Sequence, residues 1–112
     1  MDRKLRKYLS DILSSILEIE SFMVDRPKEY STFCNDTLFR RGVERNLEIM
    51  GEAMRKVLNI DPNISITSAR KVVDTRNFVI HAYDSLKPDI LWGIVINHMP
   101  LLKAEVIRLL EI

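Results

Sequence analysis

The stretch Leu5-Arg6-Lys7-Tyr8-Leu9-Ser10-Asp11-Ile12-Leu13-Ser14-Ser15-Ile16-Leu17-Glu18-Ile19-Glu20-Ser21-Phe22-Met23 decides the fold class. Leu5, Leu9, Ile12, Ile16, Ile19 and Met23 recur at steps of three and four, which lines up one apolar face of an α-helix. The stripe stops near Asp25-Arg26-Pro27, because proline pushes the residue before it out of the helical region. Outward from this helix the same period returns. Glu29 to Asn35 has room for one or two helical turns. Asp36 is placed to cap a second long helix ending near Leu58, with Leu38, Val43, Leu47, Met50, Met54 and Val57 expected inward. Asn59-Ile60-Asp61-Pro62-Asn63 reads as a loop. Thr67 or Ser68 can cap a third helix running through Val72, Val73, Val79 and Ile80 to about Ala82. Lys87-Pro88-Asp89 breaks the chain again, with Asp89 as candidate cap of a last segment. That segment carries Leu91, Val95, Leu102, Val106 and Leu109 on one side, and Pro100 inside it predicts a kink or two short helices. The expected fold is an all-α, four- to five-helix antiparallel bundle forming a single domain over residues 1–112.

Composition agrees with one such domain. A chain of 112 residues, 46% hydrophobic, can bury a core without disulfides or metals as staples. Lys plus Arg is 17 and Asp plus Glu 16, so the net charge of +1 speaks against a broad basic coat and against an acidic disordered tail. Only 3 glycines and 4 prolines disfavour a turn-rich β fold. Cys34 is the single cysteine, so no intrachain disulfide can form and a reducing compartment is expected. Met1-Asp2-Arg3-Lys4 is basic, but no continuous apolar run follows as a secretory signal requires. The longest apolar stretch, Ile90 to Ile96, is far short of the roughly 20 residues that cross a bilayer. A cytoplasmic protein with no membrane partner is expected. His81, His98 and Cys34 lack zinc-ligand spacing and no Glu-x-x-His pair is present, so neither a metal nor a cofactor is expected.

The stretch richest in chemistry is Arg76-Asn77-Phe78-Val79-Ile80-His81-Ala82-Tyr83. Arginine is a permanent cation whose planar fork suits a phosphate, and histidine exchanges a proton near neutral pH. On one helix Arg76 and His81 lie about 140° apart, whereas Asn77 and His81 share a face. A second copy of the helix across a two-fold axis would bring Arg and His onto one phosphate. Against this stands the plain reading of a solvated arginine and a histidine favoured by the helix C-terminus. Chance expectation for Arg-x4-His-x-Tyr in this composition is roughly 0.005.

These residues resemble the Arg-x4-His-x-Tyr signature of the HepT-like toxins, a branch of the HEPN ribonucleases. The resemblance extends to Val43 through Ala53, similar to the family's second-helix segment ending in Gly-Glu-Ala (here Gly51-Glu52-Ala53), and to Trp92, Val95, Pro100 and Leu101 in the last helix. Arg40-Arg41-Gly42 departs from the family pattern, and Gly42 is expected to loosen that helix start. The resemblance implies a homodimer joined through the motif-helix region, with a metal-independent RNA endonuclease site in the dimer cleft. His81 would serve as general acid or base, Arg76 would stabilise the scissile phosphate, and Asn77 would orient phosphate or histidine. It also implies a toxin of a type VII-like toxin–antitoxin pair. Its nucleotidyltransferase antitoxin would attach AMP to Tyr83, placing phosphates beside Arg76.

Glu44, Glu48 and Glu52 share a helical face, and a solvated ion-pair role with Arg40, Arg45, Arg55 and Lys56 outweighs carboxylate catalysis. Glu52 is the exception, since it belongs to the Gly-Glu-Ala resemblance and is a candidate for cleft support. Arg3, Lys4, Arg6 and Lys7 read first as a solvated helix end and second as RNA contacts. Phe33, Phe39, Phe78 and Trp92 read as core or interface groups, and His98 as structural. Two other functions fit the sequence: a non-catalytic nucleotide- or substrate-binding subunit of a nucleotidyltransferase, and an inert helical dimerisation domain.

Overall fold

The computed structural model describes residues 1–81 and 88–111, with the backbone alone for 77–81. Its helices are α1 (Arg3–Phe22), α2 (Tyr30–Asn35), α3 (Thr37–Ile60), α4 (Ala69–His81), α5 (Pro88–Gly93) and α6 (Met99–Leu110), with a π-helical turn over Ile94–His98 between the last two. Among the described residues there is no strand, so the fold is all-α as expected. At about 1.5 Å per residue, the 24 residues of α3 span roughly 36 Å and set the 42 Å long axis. α3 is the central strut, packed on α1 along one side and α4 along another, while α6 lies on α1.

The apolar stripe of α1 does what its spacing predicts. Leu9, Ile12, Ile16 and Ile19 are fully buried, facing Phe39, Val43, Leu47, Met50, Met54 and Val57 of α3. Burying such side chains is the main favourable term in folding. Met23 closes α1 as its C-cap and still packs, partly buried, against the core. Leu38 is a correction: it is 75% exposed, and Phe39 takes the inward position at 1%. Counting back four from Val43 gives Phe39, whereas Leu38 sits about 140° away. Phe39 then makes edge-to-face contact with Phe33 (5.1 Å between centroids), and Phe33 lies 5.2 Å from Trp92.

Helix ends follow local chemistry where the sequence is local. Asp36 caps α3 by accepting the Phe39 N–H at 3.0 Å, and Arg26 holds its other oxygen at 2.8 Å. Hydrogen bonding from Arg26 first, and from the Phe39 N–H next, keeps the Asp36 carboxyl below the usual carboxylate range. Before α4 the Ser68 carbonyl accepts the Val72 N–H. Thr67 instead donates its N–H and hydroxyl to Glu105 of α6, the hydroxyl at 2.8 Å. Asp89, expected as a cap, lies inside the first turn of α5, which Pro88 opens.

Pro100 disturbs the last segment as expected, and the helical run continues through the disturbance without a break. It has no N–H for the carbonyl four residues back, and its ring crowds that carbonyl. The π turn absorbs this: the Met99 N–H bonds to the Ile94 carbonyl, and Pro100 opens the first turn of α6. Pro88–Leu110 is consequently one continuous helical run, long and apolar enough by length and composition to cross a membrane. The Ile90–Ile96 stretch underestimated that run. Leu91, Val95, Met99, Leu102 and Val106 turn into the core, and Lys103 bonds Glu20 of α1 at 2.9 Å.

Gly42 does not loosen α3. A Cβ there would lie 2.6 Å from the Phe22 ring, so the missing side chain is where that ring packs.

Candidate functional site

The helix that carries the signature is seated on α3 through one glycine. A Cβ on Gly51 would fall 2.1 Å from the Arg76 Cβ and 3.0 Å from the Val72 carbonyl oxygen. Real side-chain atoms do not approach so closely, so only glycine lets α3 and α4 meet here. Val72 and Arg76, one turn apart, are therefore on the face of α4 turned toward α3.

The next residue supplies charge. Glu52 Oε2 lies 3.2 Å from Arg76 Nε, with the side chains 31% and 29% exposed. The same carboxylate takes the Arg55 fork, from Nη2 to Oε1 at 2.6 Å and from Nε to Oε2 at 3.2 Å. The Arg55 hydrogen bond holds the Glu52 carboxyl below its ordinary range; partial burial opposes this, and the charges of Arg55, Arg76 and Lys56 reinforce it. Ala53, the third member of the triplet, is buried beside them. Gly51-Glu52-Ala53 thus has a physical meaning: the glycine seats the motif helix and the glutamate sets a carboxylate beside its arginine.

Arg76 and Glu52 open onto a groove of about 300 Å3 between α1 and α3. Lys7, Tyr8 and Asp11 line it from α1, and Arg45, Glu48, Ile49, Ala53 and Lys56 from α3. Lys7 is held by Asp11 at 2.8 Å. The Tyr8 ring has Lys7 Nζ at 5.6 Å and Lys56 Nζ at 5.3 Å from its centroid. Of the basic N-terminal residues, Arg6 donates to the Leu110 carbonyl, so it ties the start of α1 to the end of α6.

Of the residues singled out from sequence, Arg76 and Glu52 are brought into contact. Asn77 and His81 lie within α4, and their side chains are outside the described residues. Positions 77 and 81 continue the helical column of Arg70 and Asp74, both exposed, while Arg76 is about 120–140° around the helix. Tyr83 lies outside the described residues, as do the side chain of Phe78 and the expected extension of α4 to Ala82. Glu44 pairs with Arg41 at 3.7 Å and stands apart from this cluster, as an ordinary surface pair does. His98 is exposed beside an apolar hollow on the other side of α4. Among the described residues, no three His, Cys, Asp or Glu side chains converge as metal ligands would.

Sequence reasoning missed Tyr8 and the reason for Gly51. Tyr8 had a signal, because it borders the Leu5–Leu9–Ile12 stripe and follows a lysine. The role of Gly51 had none, since it depends on a helix that begins eighteen positions later.

Residues 12–109 match the family described as ribonuclease HepT-like. "Putative RNase MJ1380" of Methanocaldococcus jannaschii is 35% identical over 108 residues, covering 93% of this chain and 94% of that protein. "Probable ribonuclease HepT" of Thermococcus cleftensis is 33% identical over 109 residues, covering 94% of each. No solved structure matches the chain. With α3, the motif helix and almost the whole C-terminal run inside the matched region, the chain belongs to the HepT-like ribonuclease family.

Proposed function

We propose that this ribonuclease is a metal-independent RNA endonuclease toxin, acting as a homodimer in the cytoplasm and away from membranes. A nucleotidyltransferase antitoxin silences it by attaching AMP to Tyr83. The observation that carries the reading is the seating of Arg76 by Gly51 and Glu52 at the mouth of a groove. A signature arginine held at a fixed place beside a channel is what a phosphate-binding role needs.

The chemistry requires no group beyond the side chains named. The 2′-oxygen of the ribose attacks phosphorus while His81 accepts its proton. The bond to the 5′-oxygen breaks, and that oxygen leaves with a proton from an imidazolium. The products are a 2′,3′-cyclic phosphate and a 5′-hydroxyl. Arg76 balances the charge that grows on the non-bridging oxygens, and Asn77 orients the phosphate or the imidazole. Positions 76 and 81 lie about 140° apart on one helix, so the second copy supplies the histidine that meets each Arg76. AMP on Tyr83, two residues beyond His81, sets phosphates where they compete with RNA for Arg76.

The test is cleavage of an RNA oligonucleotide in the presence of EDTA. Wild-type protein is expected to leave 5′-hydroxyl and cyclic phosphate ends. His81→Ala and Arg76→Ala should keep their helical content and lose at least about 100-fold in rate, the scale of general acid–base and electrostatic catalysis. A His81→Ala protein that cleaves like wild type would overturn the reading.

A further inference from the structure

The groove that Arg76 opens onto contains features that cleavage chemistry alone does not use. Tyr8 is half-buried, with its ring turned to the groove between two lysine ammonium groups. Lys7 is neutralised by Asp11, but among the described residues Arg45 and Lys56 make no ion pair. Ile49 adds an apolar wall that is 37% exposed. A second groove, of about 380 Å3, shares Arg45 and Ile49 with the first and continues along α3 to Arg41. Together they make one channel along α3. From Arg41 to Lys56 it spans about 22 Å at the helical rise.

We propose that this α1–α3 channel is the track for single-stranded RNA flanking the scissile phosphate, with Tyr8 stacking one base and Lys56 and Arg45 contacting successive phosphates. The inference rests on the ribonuclease reading above and adds to it where the substrate lies and which class it belongs to. An aromatic face among cations along a groove is the arrangement that binds unpaired nucleic acid without regard to sequence. Lys56 can change partners. Its ammonium rests over the ring without a carboxylate, so an entering base takes the ring and the ammonium turns to the neighbouring phosphate. Duplex RNA is disfavoured, because its bases are stacked on each other and cannot reach Tyr8. The groove also holds Asp11, Glu48 and Glu52, so its surplus of positive charge is small. The track therefore neutralises few phosphates, in keeping with a chain whose net charge is +1.

The experiment measures binding of a 2′-O-methyl oligonucleotide, which cannot be cleaved, to the full chain across a salt series, beside cleavage of the matching RNA. Tyr8→Ala is expected to weaken binding about tenfold, and Tyr8→Phe to retain it. Arg45→Gln with Lys56→Gln, both on the surface of α3, should flatten the log–log salt slope by about 1.4, the value for two lost phosphate contacts to a single strand. These changes should raise KM and leave kcat within about twofold. Variants that bind as wild type while wild type cleaves RNA would overturn the track and leave the ribonuclease reading standing. The same overturning follows if wild type does not bind the oligonucleotide, or if the substitutions alter only self-association or capture of a protein partner. Weakened binding by the variants, with a wild type that never cleaves, would support the track and sink the cleavage reading.

Discussion

Thr75 and Arg76 are neighbours in the chain, yet they line two different hollows, about 100° apart around α4. Thr75, with Val72, Leu101 and Leu102, walls a mostly apolar space of about 50 Å3 between α3, α4 and α6. Arg76 borders the polar groove of about 300 Å3 between α1 and α3. Both are gaps in a tightly packed bundle, but their walls differ in kind. The apolar one has aliphatic walls and few groups that could orient a charged ligand. The polar one brings cations, carboxylates, a ring and the Arg76 guanidinium to a shared space. On the proposed function the first hollow belongs to packing and the second to chemistry, because only the second places the signature arginine among other charged groups.

The largest way to break this contrast is to push α4 off α3. Gly51→Ala forces a methyl to within 2.1 Å of the Arg76 Cβ, so the helices must separate. Overpacking of this kind costs about 1–3 kcal/mol, which calorimetry will register as a lowered Tm. RNA cleavage should fall beyond what the unfolded fraction explains, because Arg76 moves with its helix. An active, fully stable Gly51→Ala protein would mean that the close approach does not position the site.

A smaller effect is expected from Glu52→Gln, which keeps the shape and removes the charge opposite Arg76. Cleavage should drop about tenfold through looser positioning of the guanidinium. The pH dependence of stability has a definite sign. The folded Glu52 carboxyl titrates below its unfolded value, so its contribution is present above the ordinary carboxylate range and is lost as pH falls through that range. Urea unfolding of wild type and Glu52→Gln between pH 6 and pH 3 (roughly the carboxylate range) should show the two stabilities converging toward acid. The smallest effect belongs to the other hollow. Thr75→Val removes only a hydroxyl that bonds back to the Lys71 carbonyl, and stability should stay within about 1 kcal/mol. Cleavage should not change at all; a loss would show that the apolar side also takes part.

The two sides were not equally legible in the sequence. The α1 and α3 stripes are local periodicities, and they gave the helices and nearly all their inward residues. The error at Leu38 came from following hydrophobicity rather than phase, and the count back from Val43 corrects it. The Asp36 cap was legible because donor and acceptor are three residues apart. The Glu105 hold on Thr67 was not, because its partners are 38 positions apart and meet only after α6 has folded back. Pro100 announced a disturbance, but its resolution as a π turn depends on the core stripe staying buried on both sides of it. In the site, spacing showed that Arg76 and His81 cannot share a face of one helix. It could not show that Gly51 and Glu52 stand against Arg76, since that is a contact between helices.

The central claim is that each site joins Arg76 of one copy to His81 of the other. Mixing the two inactive proteins, Arg76→Ala and His81→Ala, and assaying RNA cleavage after subunit exchange tests it most directly. Random pairing makes half of the dimers mixed, each with one intact site, so the mixture should recover about a quarter of wild-type activity. A mixture as inactive as its parents, with exchange confirmed by mass, would contradict the claim.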